Sequence, residues 1–240
     1  MLRPDQVYSP RTGLNSSQIK AFQRIGGQVV VEELRPYQNA MYQLGTPILT
    51  LERMVNLLAL SMGKAAGGES QVTEKELEEF YRPLWSIVND LLPESVGANS
   101  PVITSSIQNL AGIPFVVTED LYLVTINQSY LTPVSLNSAL VASILPRMAI
   151  ASRHLLEFPK IARHIRFLEL GDVVAHVNSM CATEPVEDVI SSDRKSLHDL
   201  YSLFSDLDRQ GNVDSKVYQS LRNLPIWLSN KGLISAKQAL

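Results

Sequence analysis

A chain of 240 residues, 45% hydrophobic and 19% charged, can bury a substantial core as one large domain or two ordinary ones, which excludes wholesale disorder. Its 21 basic and 24 acidic side chains leave a net charge of -3, which excludes a global field able to hold nucleic acid or an anionic membrane. Cys181 is the only cysteine, so an intrachain disulfide and a cysteine-built zinc cluster are excluded and a reducing, cytoplasmic setting is expected.

Residues 1–15, rich in Pro, Arg, Gly and Asn, read as an extended lead-in; their charges stand where a signal peptide needs an apolar run. Nowhere does the chain reach the predominantly apolar stretch of about 18 residues that a membrane span requires; the nearest, around 132–145, is short and contains polar residues. Ser16 and Ser17 offer N-caps to a short helix through Ile19 and Phe22 that Gly26-Gly27 stop. A second helix runs from Val29 through Leu34, Tyr37 and Met41, bent or restarted at Pro36, and ends at Gly45. Thr50 caps the next, whose stripe is Leu51, Met54, Val55, Leu58 and Met62. Thr73 and Glu76 form a capping box for a long helix through Leu77, Phe80, Leu84, Ile87 and Leu91, with a kink or break expected at Pro83.

Residues 93–100 read as the clearest loop and the best internal boundary. A hairpin follows over 113–118 and 122–126, where Val, Ile, Phe and Tyr are enriched. Residues 132–145 are expected to be helical, as is a stretch from Pro146 carrying Met148, Ile150, Leu155 and Leu156. Pro159 starts an amphipathic helix with Ile161, Ile165 and Leu168, which Gly171 and Asp172 break, and residues 173–180 form a short helix or strand. Ser192 caps a helix through Leu197, Leu200, Tyr201, Phe204 and Leu207; Asp214 caps another through Val217 and Leu221. A second hairpin, 224–228 and 233–235 around Asn230-Lys-Gly232, closes the chain.

Residue patterns that carry chemistry are incomplete. Asp206, Asp208, Gln210, Gly211, Val213 and Asp214 imitate the start of an EF-hand loop, but the closing glutamate position is Val217, so a polar interhelical turn is expected rather than a calcium site. His154, His164, His176 and His198 never stand three or four apart, the spacing that puts two imidazoles on one helical face. Gly-x-Ser-x-Gly elbows and phosphate-cradling glycine loops are missing, and Cys181 beside Met180 reads as a small buried hydrophobe. Glu74, Glu76, Glu78 and Glu79 sit at a helix start, where they complement its dipole. One charge feature remains: Arg147, Arg153, Lys160, Arg163 and Arg166 face the single acid Glu157 within residues 147–166. Lys160, Arg163 and Arg166 follow at three-residue steps, a basic helix face fit for an acidic partner.

One stretch occurs twice. Leu110-Ala-Gly-Ile-Pro-Phe115 with Leu123-Val-Thr-Ile-Asn-Gln-Ser-Tyr-Leu131 returns as Leu221-Arg-Asn-Leu-Pro-Ile226 with Leu233-Ile-Ser-Ala-Lys-Gln-Ala-Leu240. Pro114 and Pro225 lie far beyond the roughly 20–50 residues of a solenoid repeat, so the repeating unit is domain-sized and the chain's end reads as a cut through a repeat. The segment Leu221 to Ser235 resembles the hairpin that recurs through the giant repeats of sacsin. Leu2-Arg-Pro-Asp-Gln-Val-Tyr-Ser-Pro-Arg11 and Leu44-Gly-Thr-Pro-Ile48 are similar to steps elsewhere in that unit.

The resemblance implies a cytoplasmic, chaperone-associated repeat protein whose repeats open with an ATP-binding module. That module's Asp-x-Gly-x-Gly loop and Glu/Asn/Asp box are missing here, so ATP binding is not implied and no cofactor, metal or catalytic residue is expected. The expectation is an α+β fold, predominantly α-helical with two small β-hairpins, divided into a helical subdomain over 1–100 and a hairpin-bearing one over 101–240. Its expected role is non-enzymatic: a scaffold contacting other segments of a large protein and client or co-chaperone proteins, not nucleic acid or membrane. The alternative is a helical adaptor that binds an acidic partner through Arg153, Lys160, Arg163 and Arg166. An enzyme with a site of unfamiliar pattern is the third possibility, and it predicts a deep pocket with convergent polar groups.

Overall fold

The computed structural model describes residues 8, 13–30, 36–43, 45–62, 70–94, 101–183, 194–211, 213–224, 226–229 and 232–235. The fold is α+β and predominantly helical. Its helices are α1 (Ser16–Arg24), α2 (Gln38–Gln43), α3 (Leu51–Met62), α4 (Glu74–Glu76), α5 (Arg82–Leu91), α6 (Pro101–Ala111), α7 (Ser138–Ile144), α8 (Pro159–Ala162), α9 (Leu170–Thr183), α10 (Arg194–Gln210) and α11 (Ser215–Asn223). Short strands are β1 (Val116–Val117), β2 (Leu123–Val124), β3 (Tyr130–Leu131), β4 (Arg166–Phe167), β5 (Trp227–Ser229) and β6 (Gly232–Ile234). Both expected hairpins form: Val116 pairs with Val124 and Val117 with Leu123, while Trp227 pairs with Ile234 and Leu228 with Leu233.

Two compact units result, Met1–Ser129 with Ala151–Arg166, and Tyr130–Ile150 with Phe167–Leu240. These bounds differ from a cut at residue 100, because 101–129 belongs to the first core: α6 packs on α3, and the Trp85 indole N–H donates to the Phe115 carbonyl at 2.8 Å. That core is built on the fully buried Phe22, Met54, Leu58, Leu84, Trp85 and Phe115. The second gathers Leu145, Ile150, Val173, Leu200, Leu203, Leu207 and Ile226.

The units are two copies of one design. Tyr8 makes a parallel bridge with Val29 and Tyr130 one with Ile150; the tyrosine N–H donates to Gln28 at 2.7 Å in one and to Ala149 at 2.9 Å in the other. Each tyrosine leads to a Leu-Asn-Ser step whose asparagine caps a helix, Asn15 for α1 and Asn137 for α7. Each helix buries one stripe, Gln18, Ala21 and Phe22 then Ile25 for α1 and Ser138, Val141 and Ala142 then Leu145 for α7, although relative to the caps the second stripe begins two residues earlier. The stripe Leu51, Met54, Val55, Leu58 of α3 recurs in α9 as Leu170, Val173, Val174, Val177. Buried Tyr81, Leu84, Ile87 and Val88 match Leu197, Leu200, Leu203 and Phe204 of α10 in spacing. This register sets Trp85 against Tyr201, whose hydroxyl donates to the Ile226 carbonyl at 2.6 Å, as Trp85 does to Phe115. Even the turns into the prolines agree: Ile113 N–H donates to Leu110 at 3.1 Å and Leu224 N–H to Leu221 at 3.3 Å.

Several expectations are corrected. Pro83 neither breaks nor ends its helix. It lacks an N–H and crowds the carbonyl four residues back, and a π-helical turn, Leu77–Tyr81, relieves this by letting the Arg82 N–H reach the Leu77 carbonyl. The stretch after Pro146 is not a helix through Ile150, because Ile150 and Ala151 are taken into bridges with Tyr130 and Thr118; only Arg153–Glu157 coils, as a 3-10 turn. Gly171 does not interrupt a helix but lies in the first turn of α9, which covers 173–180 as helix. Within 132–145, helix is confined to α7. The predicted caps of Thr73 with Glu76 and of Asp214 are present, whereas Ser192, the loop beyond Glu94, Leu34 and the Asn230-Lys231 turn lie outside the described residues.

The two aromatic anchors give a direct test of the shared design. Tyr201→Phe removes only the donor and is expected to cost about 1–2 kcal/mol by urea denaturation. Trp85→Phe also leaves a cavity in a fully buried site and is expected to cost about 3 kcal/mol or more.

Candidate functional site

Two apolar clefts repeat with the fold. In the first unit a cleft of about 610 Å³ opens between the start of α3, the end of α5 and the start of α6, lined by Leu49, Leu51, Leu91, Val102, Ile103 and Ser106, with Glu52, Asp90 and Lys160. In the second a cleft of about 590 Å³ lies between the start of α9, the end of α10 and the start of α11, lined by Leu168, Leu170, Leu207, Val213, Asp214 and Val217. Each member of the second set stands where its counterpart stands in the first: Leu49-Thr-Leu51 becomes Leu168-Glu-Leu170, Leu91 becomes Leu207, and Val102, Ile103 and Ser106 become Val213, Asp214 and Val217. Val134, 94% exposed, and Phe167, 55% exposed, add apolar surface to the second cleft. Walls of this kind suit an apolar side chain from an extended segment.

A third concavity, about 780 Å³, lies between α1 and the π-helical turn and is polar: Asn15, Lys20, Arg24, Glu78 and Glu79 line it with Phe80. Arg24 pairs with Glu76 at 2.9 Å and stacks over the Phe80 ring at 4.3 Å. That guanidinium, with the Thr73 backbone and hydroxyl, holds the Glu76 carboxyl below its ordinary pKa.

The expected basic helix face does not form. Only Lys160 lies within α8; Arg163 caps it, Arg166 is in β4, and Arg153 opens the 3-10 turn. After Ala162 the chain closes two tight turns, His164 N–H to Ile161 and Ile165 N–H to Ala162, and then extends so that Leu168 N–H reaches the Leu131 carbonyl at 2.8 Å. Strand pairing overrides the helical periodicity.

Lys160 and Arg163 instead close the end of α5. Lys160 Nζ donates to the Leu92 carbonyl at 3.1 Å and pairs with Glu94 at 2.7 Å; Arg163 donates to the Glu94 carbonyl at 2.7 Å and to that of Pro93. These carbonyls follow directly on the last turn of α5, beside the negative end of its dipole, so the cations stabilise the helix end and the turn beyond it. The Arg153 backbone N–H donates to Glu119 at 2.7 Å.

Other candidates are also accounted for. Asp206 and Asp208 lie within α10, where Asp208 accepts from the Tyr218 hydroxyl, and Asp214 caps α11 through Lys216 N–H at 2.9 Å. Among the described residues no group of three His, Cys, Asp or Glu side chains is placed to hold a metal ion, and no helix is long and apolar enough to cross a membrane. His164 buries its Nε2 without a hydrogen-bond partner, and that burial, with Arg163 beside it, lowers its pKa. Comparisons with protein-family models, with curated proteins and with solved structures find no match.

The twin clefts and the anchors Trp85 and Tyr201 escape residue-level reading, although Leu14-Asn15-Ser16 and Leu136-Asn137-Ser138, each following a tyrosine, were a signal for the repeat.

Arg163→Ala is expected to lower stability by about 0.5–1 kcal/mol, less at high salt, as read from the urea midpoint. The histidine gives a pH dependence. Its folded pKa lies below the unfolded value, so the unfolded chain binds more protons and stability is full above the ordinary histidine pKa and falls as pH drops through it. Thermal melts between about pH 7 and 5 should show a shallower decline for His164→Leu than for the parent chain.

Proposed function

We propose that this chain is a non-enzymatic interaction segment of a sacsin-like chaperone, a scaffold whose two copies each offer an apolar cleft to extended segments of client proteins in the cytoplasm. The single observation that supports it most is the module built twice: two helices, a proline and a hairpin, tied by an aromatic donor to the carbonyl after the proline. Tandem copies of a module multiply one binding surface along a chain, and the sacsin-like hairpin at Leu221 to Ser235 is the part of the second copy that carries the resemblance. The clefts supply the contact chemistry. Their apolar walls bury client side chains that water would otherwise surround, without requiring a particular sequence.

The basic residues contribute less to partner binding than an adaptor would need, since Lys160 and Arg163 are engaged at the end of α5. Client holding is tested by light scattering of a heat-unfolded reporter enzyme with the chain at equal molar amount. Suppression of aggregation is expected, weakened at least twofold by Val134→Asp with Phe167→Asp, two exposed positions at the second cleft. Scattering indifferent to the chain would reject the proposal.

A further inference from the structure

Residues 151–166 interrupt the second unit in sequence and fold into the first. This arm opens with an antiparallel bridge between Ala151 and Thr118, and Ser152 N–H donates to the Val117 carbonyl at 3.0 Å, so an extended segment is added to the outer edge of β1. It then crosses α5. The Phe158 ring meets that of Trp85 edge-on at 5.8 Å, Lys160 N–H donates to Asn89 Oδ1 at 2.9 Å, and Leu155 and Ile161 are fully buried.

The first copy carries the same spacing of apolar residues at the same point of its sequence. After Val29, the counterpart of Ile150, the sequence places Leu34, Tyr37, Ala40, Met41 and Leu44 at the spacing of Leu155, Phe158, Ile161, Ala162 and Ile165. The short helices coincide too, α2 beginning at Gln38 and α8 at Pro159. The surroundings, however, are opposite. Tyr37 is 64% exposed where Phe158 is half-buried on Trp85, and Ala40 is exposed where Ile161 is fully buried.

The second unit shows the complementary difference. On α10, His198, Tyr201 and Ser205 hold the positions of Arg82, Trp85 and Asn89. Trp85 is fully buried but Tyr201 only half-buried, and His198 and Ser205 are exposed where Arg82 and Asn89 are half-buried. Strand β5 corresponds to β1, and its outer edge pairs with no strand among the described residues. Exposed Tyr37 and Ala40 in the first unit thus accompany exposed His198 and Ser205 in the second, whereas the joined copy buries Ile161 and Trp85 and half-buries Phe158, Arg82 and Asn89.

We infer that Val30 and residues 36–43 dock on the second unit of another copy of this chain. Val30 sits opposite Ser229 as Ala151 does opposite Thr118, and the Tyr37 ring stands against Tyr201 as Phe158 does against Trp85. The added strand supplies main-chain hydrogen bonds and the arm supplies apolar burial. Two different surfaces meet, so the association is head-to-tail and propagates into rings or filaments rather than closing as a two-fold dimer. It is independent of client holding, because a chain that fails to suppress aggregation can still associate.

The test uses two full-length variants in a Cys181→Ser background, Val30→Cys and Ser229→Cys. In the template the Ser152–Val117 bond flanks the Ala151–Thr118 pair, and non-hydrogen-bonded antiparallel pairs hold their Cα atoms about 4.5 Å apart, within disulfide reach. Oxidation of the mixture is expected to give a linked dimer that neither variant forms alone. The sedimentation mass of the unmodified chain is expected to rise with concentration and to stay monomeric in Tyr37→Asp with Ala40→Asp, exposed positions whose replacement leaves the melting temperature unchanged. Strictly monomeric sedimentation of the parent chain, no mixed cross-link, or a disulfide that closes within a single chain bearing both cysteines would each overturn the inference.

Discussion

A proline at the mouth of a hairpin removes one backbone donor and leaves the next carbonyl buried, and that carbonyl must find a partner inside the protein. In both units a helix supplies it through an aromatic side chain, the indole of Trp85 to Phe115 and the phenol of Tyr201 to Ile226. One such bond contributes only about 1 kcal/mol net, but leaving the carbonyl buried and unpaired costs more. The bond also fixes the helix at one distance and one rotation relative to the hairpin. The stripe on that helix, Leu84, Ile87 and Val88 or Leu200, Leu203 and Phe204, is then the only face left to meet the core. Clefts of similar size appear in the two units for the same reason: the helix ends and the following helix starts are held at corresponding positions by one anchor.

How much of this was legible in the sequence follows from what each element depends on. Caps are local, so Thr73 with Glu76 and Asp214 could be read directly, as could both hairpins from their β-branched runs and turn residues. The helix at Pro159 could be read only in its start, because Ile161, Ile165 and Leu168 have helical spacing while α8 stops at Ala162 and the backbone of Leu168 is claimed by Leu131, a partner far away in sequence. The basic face vanished with the missing turns. Its charges were real, but their role depends on where α5 ends, which no local pattern specifies.

The duplication was only half visible for a related reason. What the copies share is a pattern of burial rather than of residues: Met54 becomes Val173 and Trp85 becomes Tyr201. Loops of different length also shift the period. Five residues lie between the paired Val117 and Leu123 and four between the corresponding pair Leu228 and Leu233, and Leu121 stands in the left-handed region at φ 62°. Cores tolerate volume-compatible exchange and loops tolerate insertion, so two copies can drift apart in sequence while the aromatic bond to the carbonyl after the proline is kept.

That drift is uneven, and its unevenness carries information. In the arm of residues 151–166 the polar side chains are matched to the surface beneath them: Glu157 to Arg82 at 2.6 Å, and Lys160 and Arg163 to the carbonyls that follow α5. The corresponding positions of the first arm are Pro36, Asn39 and Tyr42, and the corresponding acceptor positions Arg82 and Asn89 become His198 and Ser205. At these positions charge has left both sides together. An arm bearing Glu157 and Lys160 placed on the His198 and Ser205 surface would lose its ion pair with Arg82, and an arm with Pro36 in place of Glu157 would leave that cation without this partner. Paired losses of this kind separate two otherwise similar docking reactions by the penalty for the wrong match, and they let one fold carry two arms that do not compete for one seat.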